Sequence, residues 1–163
     1  MKTFFCIFLF NFILISTTVQ AQAKRNLYTY QAAQVEFWYP NEWQVEEAER
    51  VTVLQNIDQS LSITFSIMEA EKIEEALIEL ESIMQTQLTN PTITTEPEII
   101  ELNGMMGVVA ELNGTLDGNL VQLGVFIIDS PQNVLLVLGM GHKKALQQYN
   151  KALDKIIKSI KPI

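Results

Sequence analysis

The chain contains few of the residues that carry most enzyme chemistry. Its 163 residues include one cysteine, Cys6, and one histidine, His142. A single cysteine cannot form an internal disulfide, and a single imidazole cannot build a multi-histidine metal site. Basic residues are also scarce, with 11 Lys and Arg against 19 Asp and Glu and a formal charge of −8. Nucleic acid and anionic membrane surfaces are therefore not expected as partners, because both are bound through clustered positive charge.

The first 23 residues have the layout of a secretory signal peptide. A basic start at Lys2 precedes an apolar stretch, Phe4–Ile15, and a polar end that contains the small residues Ala21 and Ala23. Cleavage is predicted after Ala23, or else after Ala21. The alternative is an uncleaved membrane anchor, but the apolar stretch is about 12 residues long, whereas a membrane-spanning helix needs ~20. We expect no stable membrane insertion after cleavage. The protein is predicted to be exported, either to a periplasm or out of the cell.

Removal of the signal peptide changes the chemistry of the chain. It takes away Cys6, so the mature chain has no thiol for a disulfide, a thiolate metal site or a nucleophile. Cys6 follows the bulky Phe4 and Phe5 rather than small residues, so lipid attachment is not expected there. The mature chain keeps ten basic and 19 acidic residues, a formal charge of −9. No linker or repeat divides it, so residues 24–163 are predicted to form a single domain.

Strand and helix patterns follow one another along the mature chain. Every second residue of Val35–Tyr39 is apolar before Pro40, which predicts a strand, and Leu27–Tyr30 is expected to pair with it. Apolar residues recur every three or four positions in Glu71–Leu88 and in Lys143–Lys161, which predicts two amphipathic helices. Further strands are predicted around Val51 and Val53 and at Leu61–Ile67, Ile99–Leu102, Met105–Leu112, Leu120–Ile128 and Val134–Leu138.

Short turns join these predicted strands. Asn103-Gly104, Asp117-Gly118 and Ser130-Pro131 have the composition of tight turns, which favours an antiparallel meander. Val121–Ile128 and Val134–Leu138 are apolar at nearly every position, so both faces of these strands should be covered. The predicted fold class is therefore α+β: an α/β/α sandwich with a mostly antiparallel central sheet, flanked by a mid-chain helix and a C-terminal helix.

A family resemblance accompanies this pattern. The segment from Val35 to Trp43, VEFWYPNEW, resembles the strand, proline and tryptophan that open domains of the PsbP-like superfamily. Those domains continue with a hairpin, a helix, a glycine-punctuated meander and a closing helix that often ends in a Ser-Ile pair, here Ser159-Ile160. The resemblance covers essentially the whole mature chain.

The resemblance implies a fold shared by extrinsic proteins of the photosynthetic oxygen-evolving complex, a Ran-binding nuclear import factor and many exported bacterial proteins of unassigned role. Its common theme is binding without catalysis. Because these proteins bind unrelated partners, the fold alone does not assign a function. No binding residue of the family is carried over to this chain.

Local motifs for catalysis or metal binding are weak. His142 lacks a recognisable nucleophile and orienting carboxylate near it in the sequence, so a structural role is favoured. Gly139-Met140-Gly141 lacks the full G-x-G-x-x-G spacing of a phosphate-binding turn and favours a sharp strand-to-helix turn with positive φ. The glutamates at 46, 47, 49, 69, 71, 74 and 75 lack the spacing of a calcium loop and favour a solvated surface. No catalytic residue, metal ligand or cofactor is predicted.

Three aromatic residues form the candidate binding surface. Trp38, Tyr39 and Trp43 bracket Pro40 and could present a platform to a sugar or a peptide. The competing interpretation is packing, since adjacent residues of a strand point to opposite faces and at least one of Trp38 and Tyr39 then enters the core. In that interpretation Trp43 packs against the turn.

The sequence favours binding over catalysis. The first hypothesis is a non-catalytic exported domain that binds an unidentified protein partner or assembly at the cell envelope. The alternative is a carrier that holds a small apolar ligand between sheet and helix, suggested by the abundance of Met, Ile and Phe at sheet positions. A closed core with no pocket would exclude the alternative. An enzyme ranks third.

Overall fold

The computed structural model describes residues 26–163, which form two antiparallel sheets and two α-helices. The predicted signal peptide, with Cys6 and the two cleavage positions, lies outside the described residues. The elements in chain order are β1 (Asn26–Tyr30), β2 (Val35–Tyr39), β3 (Gln44–Ala48), β4 (Val51–Gln55), β5 (Leu61–Ile67), α1 (Ile73–Gln87), β6 (Thr89–Leu102), β7 (Met105–Leu116), β8 (Asn119–Asp129), β9 (Val134–Gly141), α2 (Lys143–Ser159) and β10 (Lys161–Pro162).

The large sheet has seven strands in the order β3-β4-β5-β9-β8-β7-β6, and every neighbouring pair is antiparallel. α1 packs on one face, over β6, β7 and β8, and α2 packs on the opposite face, over β8 and β9. We call these the α1 face and the α2 face. The apolar strands β8 and β9 lie next to each other inside the sheet, with a helix on each face, as their composition predicted. The predicted sandwich fold is confirmed.

A small sheet, β1-β2-β10, covers the rest of the α2 face. Phe37 of β2 stacks on Phe65 of β5 with ring centroids 4.0 Å apart and planes 3° from parallel. The Tyr28 hydroxyl lies 3.1 Å from the Thr52 hydroxyl of β4. The sequence pattern did not separate these strands from the main sheet, because alternation shows which residues are buried but not which layer buries them.

The mid-chain helix forms where its periodicity predicted it. Ala76, Leu80 and Met84 of α1 are buried against the α1 face. Glu74 and Glu75 lie in its first turn, where the helix dipole favours negative charge. Neither α1 nor α2, the helices of the described chain, has the length and apolar composition of a membrane-spanning helix.

The C-terminal helix is tied to the sheet at its end. Asn103, in the β6–β7 turn, donates side-chain hydrogen bonds to the carbonyl oxygens of Lys158 and Ile160 at 3.0 and 2.6 Å. Asn103 and Gly104 both have positive φ, at 50° and 85°, as expected for a tight hairpin turn. The last carbonyl groups of a helix lack hydrogen-bond partners within the helix. At the end of α2, the side chain of Asn103 supplies such partners.

β6 is far longer than predicted. The sequence indicated a strand only at Ile99–Leu102, but β6 begins at Thr89 and includes Pro91 and Pro97. It lies at the edge of the sheet, and its pairing with β7 shifts register three times. Proline lacks an N–H donor and fits an edge strand, where one side needs no partner, so the two prolines do not end the strand.

The segment Gly139–Gly141 corrects one expectation. These residues belong to β9, and neither glycine has a positive φ, so the predicted glycine turn is wrong. The chain passes from strand to helix at His142 instead. A Cβ added to Gly141 would lie 2.9 Å from the Ser60 carbonyl oxygen, so that glycine is needed for close backbone packing.

Candidate functional site

A cleft of about 530 Å³ lies between α2 and the β6–β8 part of the α2 face. From α2 it is lined by Leu146, Leu153 and Ile157, which are seven and four residues apart and therefore share one stripe of the helix. Ala145 and Ile156 of the same helix are buried in the core beneath the small sheet. Ala145 and Ile156 therefore anchor α2 in the core, and the adjacent stripe of the helix, with Leu146, Leu153 and Ile157, borders the cleft.

The floor of the cleft is formed by two facing glycines. Gly124 of β8 lies directly opposite Gly139 of β9, and the register is regular on both sides of this pair. A Cβ built on Gly124 would have no heavy atom within 4 Å. A Cβ on Gly139 would have only the Gly124 carbonyl oxygen, at 3.8 Å. Neither glycine has a positive φ, so backbone geometry requires glycine at neither position.

Glycines elsewhere in the described strands are explained by packing. A Cβ on Gly107 would lie 2.7 Å from the Ile127 carbonyl oxygen, which leaves no room for a side chain. Gly141 is crowded in the same way by the Ser60 carbonyl oxygen. Gly124 and Gly139 therefore differ from them, because they leave a space that no part of the described chain fills.

Carboxamides line the cleft towards the start of α2. Asn113 and Gln122 are direct partners across the β7–β8 pair, so their side chains project on the same face. Both are half-buried, and Asn150 of α2 lines the same cleft. Within residues 26–163, none of these three amides makes a side-chain hydrogen bond to protein. They can therefore bond to water or to a bound molecule.

The charged residues of the cleft are mostly acidic. Glu111 and Asp154 line it together with one ammonium group, that of Lys158. Glu101 borders the cleft as well, but it is paired with Met106, so its side chain projects on the α1 face. Lys158 already forms an ion pair with Asp154, with Nζ and Oδ1 2.8 Å apart. Glu111 accepts a hydrogen bond from the Thr95 hydroxyl at 3.1 Å. The electrostatic environment of the cleft is therefore net negative.

The candidate aromatic surface is divided by the packing. Trp43 is only 5% exposed, and its ring meets that of Tyr149 of α2 edge-on, with centroids 6.1 Å apart. Trp38 and Tyr39 are half-buried neighbours in β2 and project to opposite faces of the strand. The structure thus does not bring the three side chains together on one exposed face.

Other residues considered from the sequence lie apart from the cleft. His142 is exposed at the start of α2, with Nδ1 3.0 Å from the Leu120 carbonyl oxygen. Glu46 and Glu47 lie within β3, and Glu69 pairs with Arg50. Among the described residues, no three His, Cys, Asp or Glu side chains are grouped as metal ligands would be.

Comparison with known proteins relates the chain to solved structures only. No family model matches the chain, and no curated protein sequence matches it. A cyanobacterial PsbP protein, CyanoP from Synechocystis sp. PCC 6803, superposes with a TM-score of 0.63 at 13% identity, over 90% of this chain and 97% of that one. The fold is PsbP-like. The family resemblance noted in the sequence is therefore confirmed at the level of fold.

Two further solved structures are similar to this chain in fold. The protein of unknown function PA94 from Pseudomonas aeruginosa gives a TM-score of 0.56 at 14% identity, over 85% of this chain and 97% of that one. A protein from Bacteroides thetaiotaomicron gives 0.58 at 13% identity, over 84% of this chain and 48% of that one. At such identities the likeness establishes the fold, and function has to be argued from the site.

The sequence offered a ligand between sheet and helix only as the alternative hypothesis, and the cleft lies in such a place. The candidate surface residues Trp38, Tyr39 and Trp43 do not line it. The missed signal was Gly124, a glycine in the middle of the apolar run Val121–Ile128. Glycine weakens a strand and marks a bulge, a bend or the close approach of a ligand or backbone.

Proposed function

We propose that this protein is a non-catalytic, exported binding domain that holds a small apolar molecule in the cleft between α2 and the sheet. The observation that carries the proposal is the pairing of Gly124 with Gly139 in the cleft floor. Both glycines lower strand stability, since any other residue has less backbone freedom to lose on folding. No bulge, turn or close backbone contact offsets that loss at either position. A bound molecule that lies against the floor of the cleft would explain why glycine stands at both positions.

The dimensions and lining of the cleft support the same proposal. Its volume of about 530 Å³ falls within the ~300–1,000 Å³ of small-molecule sites. Phe126, Leu146, Leu153 and Ile157 contribute apolar surface to it. Covering such surface is favourable by roughly 25 cal/mol per Å² removed from water. Contact with these side chains therefore contributes favourable free energy of binding along much of the length of an apolar ligand.

Binding can be measured with N-phenyl-1-naphthylamine, an uncharged apolar dye that fluoresces when it leaves water. We expect the purified protein to bind one dye molecule saturably. Gly124→Val should weaken binding at least tenfold, because the new side chain occupies the cleft floor. Ser62→Val is the matched control, since Ser62 lies in a neighbouring part of the sheet on the α1 face. Absence of saturable binding, or equal binding by a folded Gly124→Val protein, would contradict the proposal.

Export is supported by the layout of residues 1–23. Protein recovered from an envelope or secreted fraction should begin at Lys24, or else at Gln22, according to which of the two cleavage positions is used. N-terminal sequencing measures this directly. Recovery of the intact N-terminus from the cytoplasm would contradict export.

The non-catalytic assignment is supported by the surroundings of His142, whose ring contacts a backbone carbonyl rather than a nucleophile. A broad hydrolase screen should therefore detect no activity. Activity that is lost in His142→Ala would overturn the assignment, because this histidine is the group best suited to general base catalysis.

Binding of a protein partner at the envelope remains a second candidate. Ile93, Ile99 and Met106 lie on the α1 face at the β6 edge of the sheet and are 52%, 78% and 50% exposed. Large exposed apolar side chains that share a face favour a protein contact. Crosslinking in envelope fractions should recover a complex that Ile99→Lys weakens. Recovery of the protein only as a free monomer would contradict this candidate.

A further inference from the structure

We infer that the ligand of the cleft is an elongated amphiphile with an uncharged polar end, bound by the amides of Asn113, Gln122 and Asn150. This inference rests on the proposed function and names the chemical class of its ligand. The apolar part of the molecule lies over Gly124 and Gly139 and extends along α2 towards Ile157.

The amides mark the end of the cleft where a polar group is held. Gln122 of β8 is opposite both Asn113 of β7 and Gly141 of β9, and Gly141 lies two residues before α2 begins at Lys143. Asn150 lies two turns into that helix. Primary amides both donate and accept hydrogen bonds, so together they suit a hydroxyl, carbonyl or amide group.

The apolar residues extend from this end. Ile157 lies seven residues beyond Asn150 in α2, which is about 10 Å at 1.5 Å per residue. Leu153 lies between them on the side of the helix that lines the cleft, and Phe126 lies on the floor two residues beyond Gly124. An alkyl chain whose head meets the amides is therefore in contact with apolar side chains as it runs along α2.

The charges of the cleft disfavour an anionic head. Glu111, which is two residues from Asn113 on the same face of β7, opposes a carboxylate or phosphate. The one ammonium group of the cleft, on Lys158, is already paired with Asp154. A cationic head has little to gain, because Glu111 is exposed and an ion pair with it is weakened by water. A charged head would also lose hydration beside Asn113 and Gln122, which are half-buried and carry no opposite charge. An uncharged head avoids both losses.

Three decyl amphiphiles separate these cases. The affinities of 1-decanol, decanoate and decyltrimethylammonium are measured by displacement of N-phenyl-1-naphthylamine at concentrations below micelle formation. We expect 1-decanol to bind most tightly and decanoate to bind at least tenfold more weakly. Tighter or equal binding of either charged amphiphile would overturn the assignment of an uncharged head.

Substitution of the amides tests where the head lies. Loss of one hydrogen bond in Gln122→Met or in Asn150→Leu should lower the ratio of 1-decanol affinity to dye affinity about three- to tenfold. Gln55→Met is the matched control, a half-buried strand glutamine on the α1 face. Asn150 is exposed on a helix, where leucine is well tolerated, so this variant remains informative if Gln122→Met fails to fold.

The outcomes distinguish this inference from the proposed function. If neither the dye nor any amphiphile binds saturably, the proposed function and the inference both fail. If the dye binds and Gly124→Val abolishes its binding, but both amide variants bind 1-decanol normally, the function stands and the inference fails.

Discussion

The two faces of β7 and β8 differ although the same two strands form both. On the α1 face, Leu123, Val125 and Ile127 of β8 are nearly inaccessible beneath α1. On the α2 face, alternate residues of the same strand are Gln122 and Gly124, and a cleft remains beneath α2. A covering helix is therefore not sufficient to close a core. Closure requires large apolar side chains on the sheet that fill the space below the helix.

The difference extends to the strand next to β8. On the α1 face, Ala110 and Leu112 of β7 are buried. On the α2 face, β7 presents Glu111 and Asn113, which line the cleft. Because a strand alternates between its faces, one stretch of sequence encodes a closed core and an open site at the same time.

The largest expected effect is loss of stability on the closed face. Ile127→Ala removes a fully buried side chain beneath α1, so the free energy of unfolding should fall by about 2–5 kcal/mol. Urea denaturation followed by circular dichroism measures the change. A loss below about 1 kcal/mol would show that the α1 face can collapse around the cavity and is less rigid than the comparison implies.

A glycine required by packing should be costly to replace. A Cβ in Gly107→Ala would lie 2.7 Å from the Ile127 carbonyl oxygen, so the strands must move apart, at a cost of about 1–3 kcal/mol. The same denaturation experiment applies. A neutral effect would remove the distinction between this glycine and the two in the cleft floor.

Truncation beside the cleft should cost less. Leu153 is only partly buried, so Leu153→Ala should lower the free energy of unfolding by about 1 kcal/mol. It should also weaken binding of N-phenyl-1-naphthylamine several-fold, because the dye loses an apolar contact. Ile127→Ala serves as the control, since it should reduce stability without a comparable loss of dye affinity.

The smallest expected change in the free energy of unfolding is an increase rather than a decrease. Gly124→Ala introduces a Cβ into open space and restricts the unfolded chain, so it should raise the free energy of unfolding by about 0.5–1 kcal/mol. Paired measurements of thermal unfolding and dye affinity should find higher stability with weaker binding. Destabilisation would indicate that the glycine has a structural role in β8.

Sequence periodicity anticipated most of the fold but little of the site. The apolar spacing of Ile73–Gln87 and the turn residues Asn103-Gly104 act locally, so the helix and hairpin were predictable from neighbours in the chain. β6 was mostly missed because Pro91 and Pro97 argue against a strand unless that strand is known to lie at an edge. Edge position is set by pairing with distant residues.

The site residues depended on contacts that one stretch of sequence does not contain. Trp43 was considered for a binding surface, and only its packing against Tyr149, more than 100 residues away, placed it in the core. Gly124 and Gly139 could be seen in the sequence, but their pairing depends on the register between β8 and β9. Glycine in a strand has several explanations, and only the surrounding atoms decide among them.

The amino-acid sequence by itself determined the PsbP-like layering of helices on an antiparallel sheet, because alternation, helical spacing and turn residues are local properties. It also determined the acidic charge and the absence of cysteine after residue 6. Only the tertiary structure decided that β1, β2 and β10 form a separate sheet and that a cleft remains under α2. The physical reason is that a void depends on how side chains from distant segments fill a shared space.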